Sequence, residues 1–255
     1  MKEKCKQIRK EVLKCGGGHI VSCYSCIEIL VALYYGGALR FDTKNPKWEE
    51  RDRFILSKGH AGKALYCILE DLGFFEKGVK GNFCTHPTAD IPGVEITSGS
   101  LGNGLGIAAG MAYALKQDKK SPMVFCLMGD GECAEGSVWE AAMFASSHRL
   151  DNLIAIIDRN KLGATDFIEN SLSLEPLVTK WLSFGWYVDE VDGHDLPKLL
   201  KTLTAVRQRG LNRPLVIIAN TIKGKGVSFM ENQPIWHVKS PTEEEIKKGL
   251  DELSA

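Results

Sequence analysis

Two stretches of the chain place hard oxygen ligands directly after apolar runs. Met123-Val-Phe-Cys-Leu-Met128 leads into Gly129-Asp130-Gly131, and Leu153-Ile-Ala-Ile-Ile157 leads into Asp158-Arg159-Asn160. Short apolar runs of this kind read as strands, with a helical segment between them. Magnesium takes oxygen ligands in octahedral geometry, commonly one or two carboxylates completed by substrate phosphates. Asp130 offers a carboxylate, Asn160 an amide oxygen, and a backbone carbonyl near Leu162 a third ligand. Gly129 and Gly131 leave room for a diphosphate to approach the backbone. A helix starting near Gly136 would add unpaired N–H groups and a positive dipole end. The set suits a magnesium ion bridging a diphosphate. Each residue also has a plainer role open to it: Asp130 as a turn former, Asn160 as a cap.

Histidine is the second source of chemistry. Of the six, His19, His60, His86 and His237 stand in loop-like contexts: Gly16-Gly-Gly-His19, Lys58-Gly-His60, Thr85-His86-Pro87 and Trp236-His237. Imidazole can hydrogen-bond a diphosphate or a sugar hydroxyl, and can move protons near neutral pH. His148, at a helix end, and His194, in Asp192-Gly-His-Asp195, read as structural. The glycine-rich segment Thr97-Ser-Gly-Ser-Leu-Gly-Asn-Gly-Leu-Gly106 opens a helix. Read from Gly102, a dinucleotide fingerprint fails at Ile107. Read from Gly104 it ends on a permitted Ala109, but its strand, Val94-Glu-Ile96, is short and too far upstream. Lys223-Gly-Lys-Gly226 lacks the frame and the Ser/Thr of a phosphate-binding Walker loop.

These residues need elements to position them. The periodicity predicts helices over 3–14, 25–35 (stopped by Gly36-Gly37), 61–72, 102–116, 137–148, 173–184, 195–208 and 242–252. It predicts strands over 53–57, 123–128, 153–157, 186–191 and 214–219. The runs 123–128, 153–157 and 215–219 are continuously apolar, as expected of strands covered on both faces. The fold class is therefore α/β, a mostly parallel sheet with helices on both faces. No linker or repeat divides residues 1–255, which are expected to form one domain. In such sheets ligands sit beyond the carboxyl ends of the strands, where Asp130 and Asn160 fall.

Bulk properties narrow the classes. The 255 residues are 44% hydrophobic and 25% charged, with zero formal net charge. Nothing electrostatic favours nucleic acid or an anionic membrane as partner. No apolar leader opens the sequence and no run is long enough to span a bilayer, so a cytoplasmic protein is expected. The eight cysteines are then expected as reduced thiols, and Cys23-Tyr-Ser-Cys26 as core packing rather than a metal site.

These motifs resemble the thiamine diphosphate enzymes, and within them transketolase. Gly129-Asp130-Gly131 to Asn160 is similar to that family's cofactor motif, with Arg159-Asn160 in place of a paired Asn-Asn. Phe54-Ile-Leu-Ser-Lys-Gly-His60 and Pro92-Gly-Val-Glu-Ile-Thr-Ser-Gly-Ser-Leu-Gly-Asn-Gly104 also match. The resemblance implies a three-layer thiamine diphosphate-binding fold. It implies cofactor contacts at His60, Gly99, Ser100, Leu101, Asp130, Gly131, Asn160 and His237. The metal, Mg2+ or Ca2+ or Mn2+ in its place, would be held by Asp130, Asn160 and the Leu162 carbonyl. His19, His86 and His237 would position substrate hydroxyls and move protons, although Ile20 replaces a proline and Trp236-His-Val-Lys239 departs from the family's flanks. Glu135 and Glu140 match acidic residues near the family's dimer interface.

Only the family's diphosphate domain is covered. The pyrimidine and C-terminal domains, which carry the glutamate that activates the cofactor, are expected on a partner chain. The resemblance thus implies the N-terminal subunit of a split transketolase, an α2β2 assembly moving a two-carbon ketol unit between sugars or sugar phosphates. The flanks of Lys223 and His237 also look like deoxyxylulose-phosphate synthase or 2-oxo acid decarboxylating subunits. Those reactions, a transketolase for an unusual ketose, and a non-catalytic regulatory homologue are the alternatives.

Overall fold

A computed structural model describes residues 1–254, with Asn82 described by its backbone alone. Five strands, β1 (Arg53–Leu56), β2 (Val124–Gly129), β3 (Leu153–Arg159), β4 (Tyr187–Asp192) and β5 (Leu215–Asn220), form one sheet in the order β1-β2-β3-β5-β4. Every pairing is parallel. Side chains alternate between the faces of a strand, and here both faces are apolar. Phe125, Leu127, Ile154 and Ile156 enter one core with α1 (Lys2–Lys14), α3 (Ile27–Tyr35), α4 (Gly62–Leu72) and α9 (Leu196–Ala205). Cys126, Met128, Ala155 and Ile157 enter the other with α5 (Asn103–Gln117), α6 (Gly136–Ser147) and α8 (Leu177–Ser183). That double burial is why the strands read as unbroken apolar runs. β4, at the sheet's edge, is the exception: Asp189 and Glu190 are only partly covered or exposed, as suits an edge that must not pair further.

The element boundaries follow local chemistry. Gly73 stops α4 in the left-handed conformation (φ 83°), its N–H reaching the carbonyls of Glu70 and Leu69, a common helix C-terminus. α10 (Glu243–Glu252) begins with a capping box, Thr242 and Glu245 each satisfying the other's backbone N–H.

Three expectations are corrected. The helix expected over 25–35 begins two residues later as α3, and a separate short helix not foreseen, α2 (Ile20–Tyr24), precedes it; between the two, Ser25 turns its hydroxyl to Asp158. The helix expected over 173–184 covers only α8, preceded by the short α7 (Ile168–Ser171). Pro176 stands at the α8 N-cap, and a proline lacks the N–H that an interior turn needs. Val94–Ile96 forms no strand. Val94 N–H closes a turn on Ile91, and the Glu95 carboxylate pairs with Arg51.

Other expectations hold. Cys23 and Cys26 are buried, and burial pushes the Cys23 thiol up to about 11. His148 caps α6 against the rings of Phe144 and Tyr113. No helix among the described residues is long and apolar enough to cross a membrane.

Candidate functional site

The register of β2 against β3 sets Gly129 beside Asp158, so the loops that follow, carrying Asp130 and Asn160, leave the sheet together. On either side, β1 delivers Ser57 to His60 and β5 delivers Asn220 to Lys223. A cavity of about 190 Å³ opens among these loops, lined among others by Ser22, Lys58, His60, Asp130, Asn160, Leu162, Lys223 and His237. A larger depression of about 800 Å³ lies apart, walled by segments 44–51 and 89–95, and carries no histidine.

Charge is concentrated beneath and at one end of this cavity. Asp130 is 4% exposed and accepts from the N–H groups of Gly131 and Lys161. Burial, reinforced by nearby Asp158, pushes its carboxyl up to about 6. Asn160 Oδ1 accepts from Leu162 N at 3.1 Å. Asp158 is fully buried and collects Lys58, Ser25, Thr221 and Asn160 around its carboxylate. Burial alone would raise it; the Lys58 ammonium outweighs burial and holds it below the usual carboxylate range. Burial would likewise lower Lys58, but Asp158 holds it above the ordinary lysine value. Glu132, also buried, accepts from Ser57 Oγ and from the N–H groups of Gly102 and Gly129, which ties β1, β2 and the start of α5 together.

The other end is made of imidazoles. The His19 ring lies 5.6 Å from that of His60, 6.4 Å from His86 and 5.0 Å from His237. Burial and then the Lys58 charge push His60 down to about 2, and burial with Lys223 pushes His237 down to about 3. Burial, His86 and Lys63 lower His19 as well. At neutral pH these three rings are uncharged, each able to donate at one nitrogen and accept at the other.

The sequence-derived residues thus converge, with differences of role. His60, Leu101, Asp130, Gly131, Asn160, Leu162 and His237 line the cavity, while His19 and His86 stand against its histidine wall. Gly99 and Ser100 do not line it. Gly99 (φ 143°) is wedged where a Cβ would strike the His86 ring at 2.9 Å, and Ser100 is exposed. The helix behind Gly136 does not begin at the cavity, because the short turn Gly131–Ala134 intervenes. Glu135 and Glu140 are exposed at the start and on the outer side of α6.

Four cavity or support residues escape a reading by motif. Lys223 donates to the carbonyls of Leu162 (3.0 Å) and Gly163 (2.8 Å) and lies 2.8 Å from His237 Nδ1. Burial followed by the Lys58 charge pushes its ammonium down to about 8. Ser22 Oγ lies in the wall with no hydrogen-bond partner among the described residues. Lys58 and Asp158 form the buried pair beneath. His194, read as structural, does act as a support. Its Nε2 accepts from Ile222 N at 2.8 Å while Nδ1 meets Glu28 at 3.1 Å, which fixes the loop that carries Lys223.

A strand-end carboxylate and amide, an unpartnered hydroxyl, two lysines and a histidine wall meet at the carboxyl ends of the strands of a parallel α/β domain. Comparison with known proteins gives that domain a family. Residues 7–253 match the family described as transketolase, thiamine diphosphate binding domain, and the chain belongs to it. It is 41% identical to an apulose-4-phosphate transketolase subunit of Phocaeicola vulgatus, over 98% of this chain and 90% of that one. It is 40% identical to the 6-deoxy-6-sulfo-D-fructose transketolase subunit SqwG of a Clostridium species, over 96% and 91%. The structure superposes on Campylobacter jejuni transketolase with a TM-score of 0.91 at 29% identity, covering 99% of this chain and 42% of that enzyme. The chain therefore spans about two fifths of a full-length transketolase and nearly the whole of relatives named as subunits. Those relatives are transferases, and the names of the short ones imply a second subunit.

Proposed function

We propose that this chain is the diphosphate-binding subunit of a two-chain transketolase, with thiamine diphosphate and a divalent cation, Mg2+ or Ca2+ or Mn2+ in its place, in the cavity at the ends of β2 and β3. The observation that carries this is the juxtaposition of Asp130 and Asn160 just beyond the ends of adjacent parallel strands, opening on neutral imidazoles. The donor set fits the group. A carboxylate held near 6 ionises fully beside a divalent cation, and the Ser22 hydroxyl is free for a phosphate oxygen. Asp130, Asn160 and the Leu162 carbonyl would hold the metal. The Leu162 carbonyl accepts from Lys223, whose ammonium would supply a positive charge beside the diphosphate.

His60, Gly131, Leu101 and His237 would border the cofactor, with Gly99 and Ser100 setting the loop behind it. When bound, thiamine diphosphate supplies an electron sink for breaking and remaking a carbon–carbon bond next to a carbonyl. The chain's own part is to orient and to move protons. His19, His86 and His237 would donate to, or take a proton from, the hydroxyls of a ketose donor and an aldose acceptor. Glycine-histidine contacts of this kind favour ketol transfer over decarboxylation of a 2-oxo acid.

A pyrimidine-domain partner, assembled as an α2β2 heterotetramer, would enclose the rest of the cofactor. Eight free cysteines, six of them buried, support a reducing, cytoplasmic setting. The test is reconstitution. This chain alone should transfer no ketol unit. With a complementary chain, cofactor and magnesium it should extend an aldose from a ketose and release no carbon dioxide from pyruvate. Robust transfer by the chain alone, or carbon dioxide without aldose extension, would refute the assignment.

A further inference from the structure

The three glycines before His19 are left over from the cofactor site, since none of them lines the cavity. They wrap Lys63 instead. Lys63 is the second residue of α4, and its ammonium donates to the carbonyls of Gly16 and Gly18, the latter at 3.2 Å. Gly16 and Gly17 have φ of 61° and 71°, and a Cβ on Gly17 would sit 2.7 Å from Lys63 Nζ. A Cβ on Gly18 would sit 2.9 Å from the Val238 carbonyl oxygen. Only glycines let backbone close so tightly around an ammonium on one side and a neighbouring strand of loop on the other. The position of the lysine is itself informative. A positive charge in the first turn of a helix opposes the helix dipole, so Lys63 gains nothing locally from being there and is placed by its tertiary contacts.

The glycine loop ends at His19, which is held left-handed (φ 64°), a conformation uncommon among residues that carry a side chain. Two clamps keep it there. On one side His19 N–H donates to the His237 carbonyl at 3.1 Å. On the other, the Lys63 ammonium gathers the carbonyls of the approach. We propose that Lys63 is a positioning residue for His19: by drawing Gly16 and Gly18 around its ammonium it aims the His19 imidazole into the His60, His86 and His237 cluster. This rests on the assignment of those histidines to sugar handling. Lys63 touches neither the metal end nor the cavity wall, so its effect should fall on substrate and not on cofactor.

The test uses the reconstituted two-chain holoenzyme carrying Lys63→Met, which keeps the stem and removes the charge, and Lys63→Arg, which restores donors. Hydrogen–deuterium exchange reads the loop, and steady-state kinetics read the sugar. Losing hydrogen bonds from a charged donor should speed exchange across residues 15–19 about tenfold in Lys63→Met and lower kcat/KM for the ketose donor by a similar factor. Cofactor affinity should stay at the wild-type value and the melting temperature should fall by only about 2–4 °C, and Lys63→Arg should recover most of both losses. Unchanged exchange at 15–19 overturns the clamp, and so does a variant that loses cofactor affinity and stability in step with activity. Were the wild-type assembly to transfer no ketol unit, the functional assignment would fail by itself, while the exchange arm would still decide the clamp.

Discussion

The two ends of the cavity solve opposite problems. The strand end at Asp130 and Asn160 buries charge: Asp158 and Lys58 beneath it are paired and nearly fully hidden, and Asp130 is hidden without a cation of its own. The histidine end removes charge: three imidazoles are desolvated until they stay neutral, and backbone contacts hold them. Desolvating an ion is costly unless a counter-ion and hydrogen bonds are waiting, whereas a neutral ring is far easier to bury. The charged end is therefore built from rigid strand termini cross-linked by side chains. The neutral end can be built from loops, three of which (Gly16–His19, Thr85–Pro87 and Trp236–Val238) meet there.

Breaking the charged end should have the larger effect. Replacing Lys58 by methionine leaves the Asp158 carboxylate buried and without its cation, which should destabilise the folded chain by about 3–5 kcal/mol in denaturant titration. A loss within the range of a surface substitution would mean that water reaches Asp158. This charged hub is a support, so the variant should also weaken cofactor uptake.

Acid should separate the ends more gently. Asp130 titrates near 6 in the folded chain, above an ordinary aspartate at 3.8. The cofactor-free folded state thus holds this proton more tightly than the unfolded chain. Its contribution to stability is full below the ordinary value and is lost as pH rises through about 6. Magnesium needs the carboxylate, so metal affinity should run the other way, falling about tenfold per pH unit below that point. His60 and His237 are depressed below 6.5, so their contribution is present at neutral pH and is lost as pH falls toward their folded values of about 2 and 3. Magnesium calorimetry should therefore break near pH 6, with no second break down to pH 4. An acid limb steeper than one proton per magnesium would show that the imidazoles are hydrated and charged as well.

Much of this was legible in the sequence, for a physical reason. Strands buried on both faces must be continuously apolar, so β2, β3 and β5 announced themselves, and the parallel rule then placed the ligands at their carboxyl ends. Asp130, His19 and His60 were readable because each stands beside a glycine in a loop, and Asn160 because it follows an apolar strand. The missed residues lack local signals. Lys58 and Asp158 lie a hundred residues apart and become a pair only through the β1-β2-β3 order. Lys223 and Ser22 matter because of what folds over them. α8 was harder to bound, since Pro176 interrupts a helical pattern.

One metal-bridged diphosphate held by two side-chain oxygens is the central claim. Its most direct test is calorimetric titration of thiamine diphosphate with magnesium into the reconstituted assembly carrying Asp130→Ala together with Asn160→Ala. The expected result is loss of measurable cofactor binding, with the chain still folded by circular dichroism. Cofactor uptake equal to that of the unmodified assembly would contradict it.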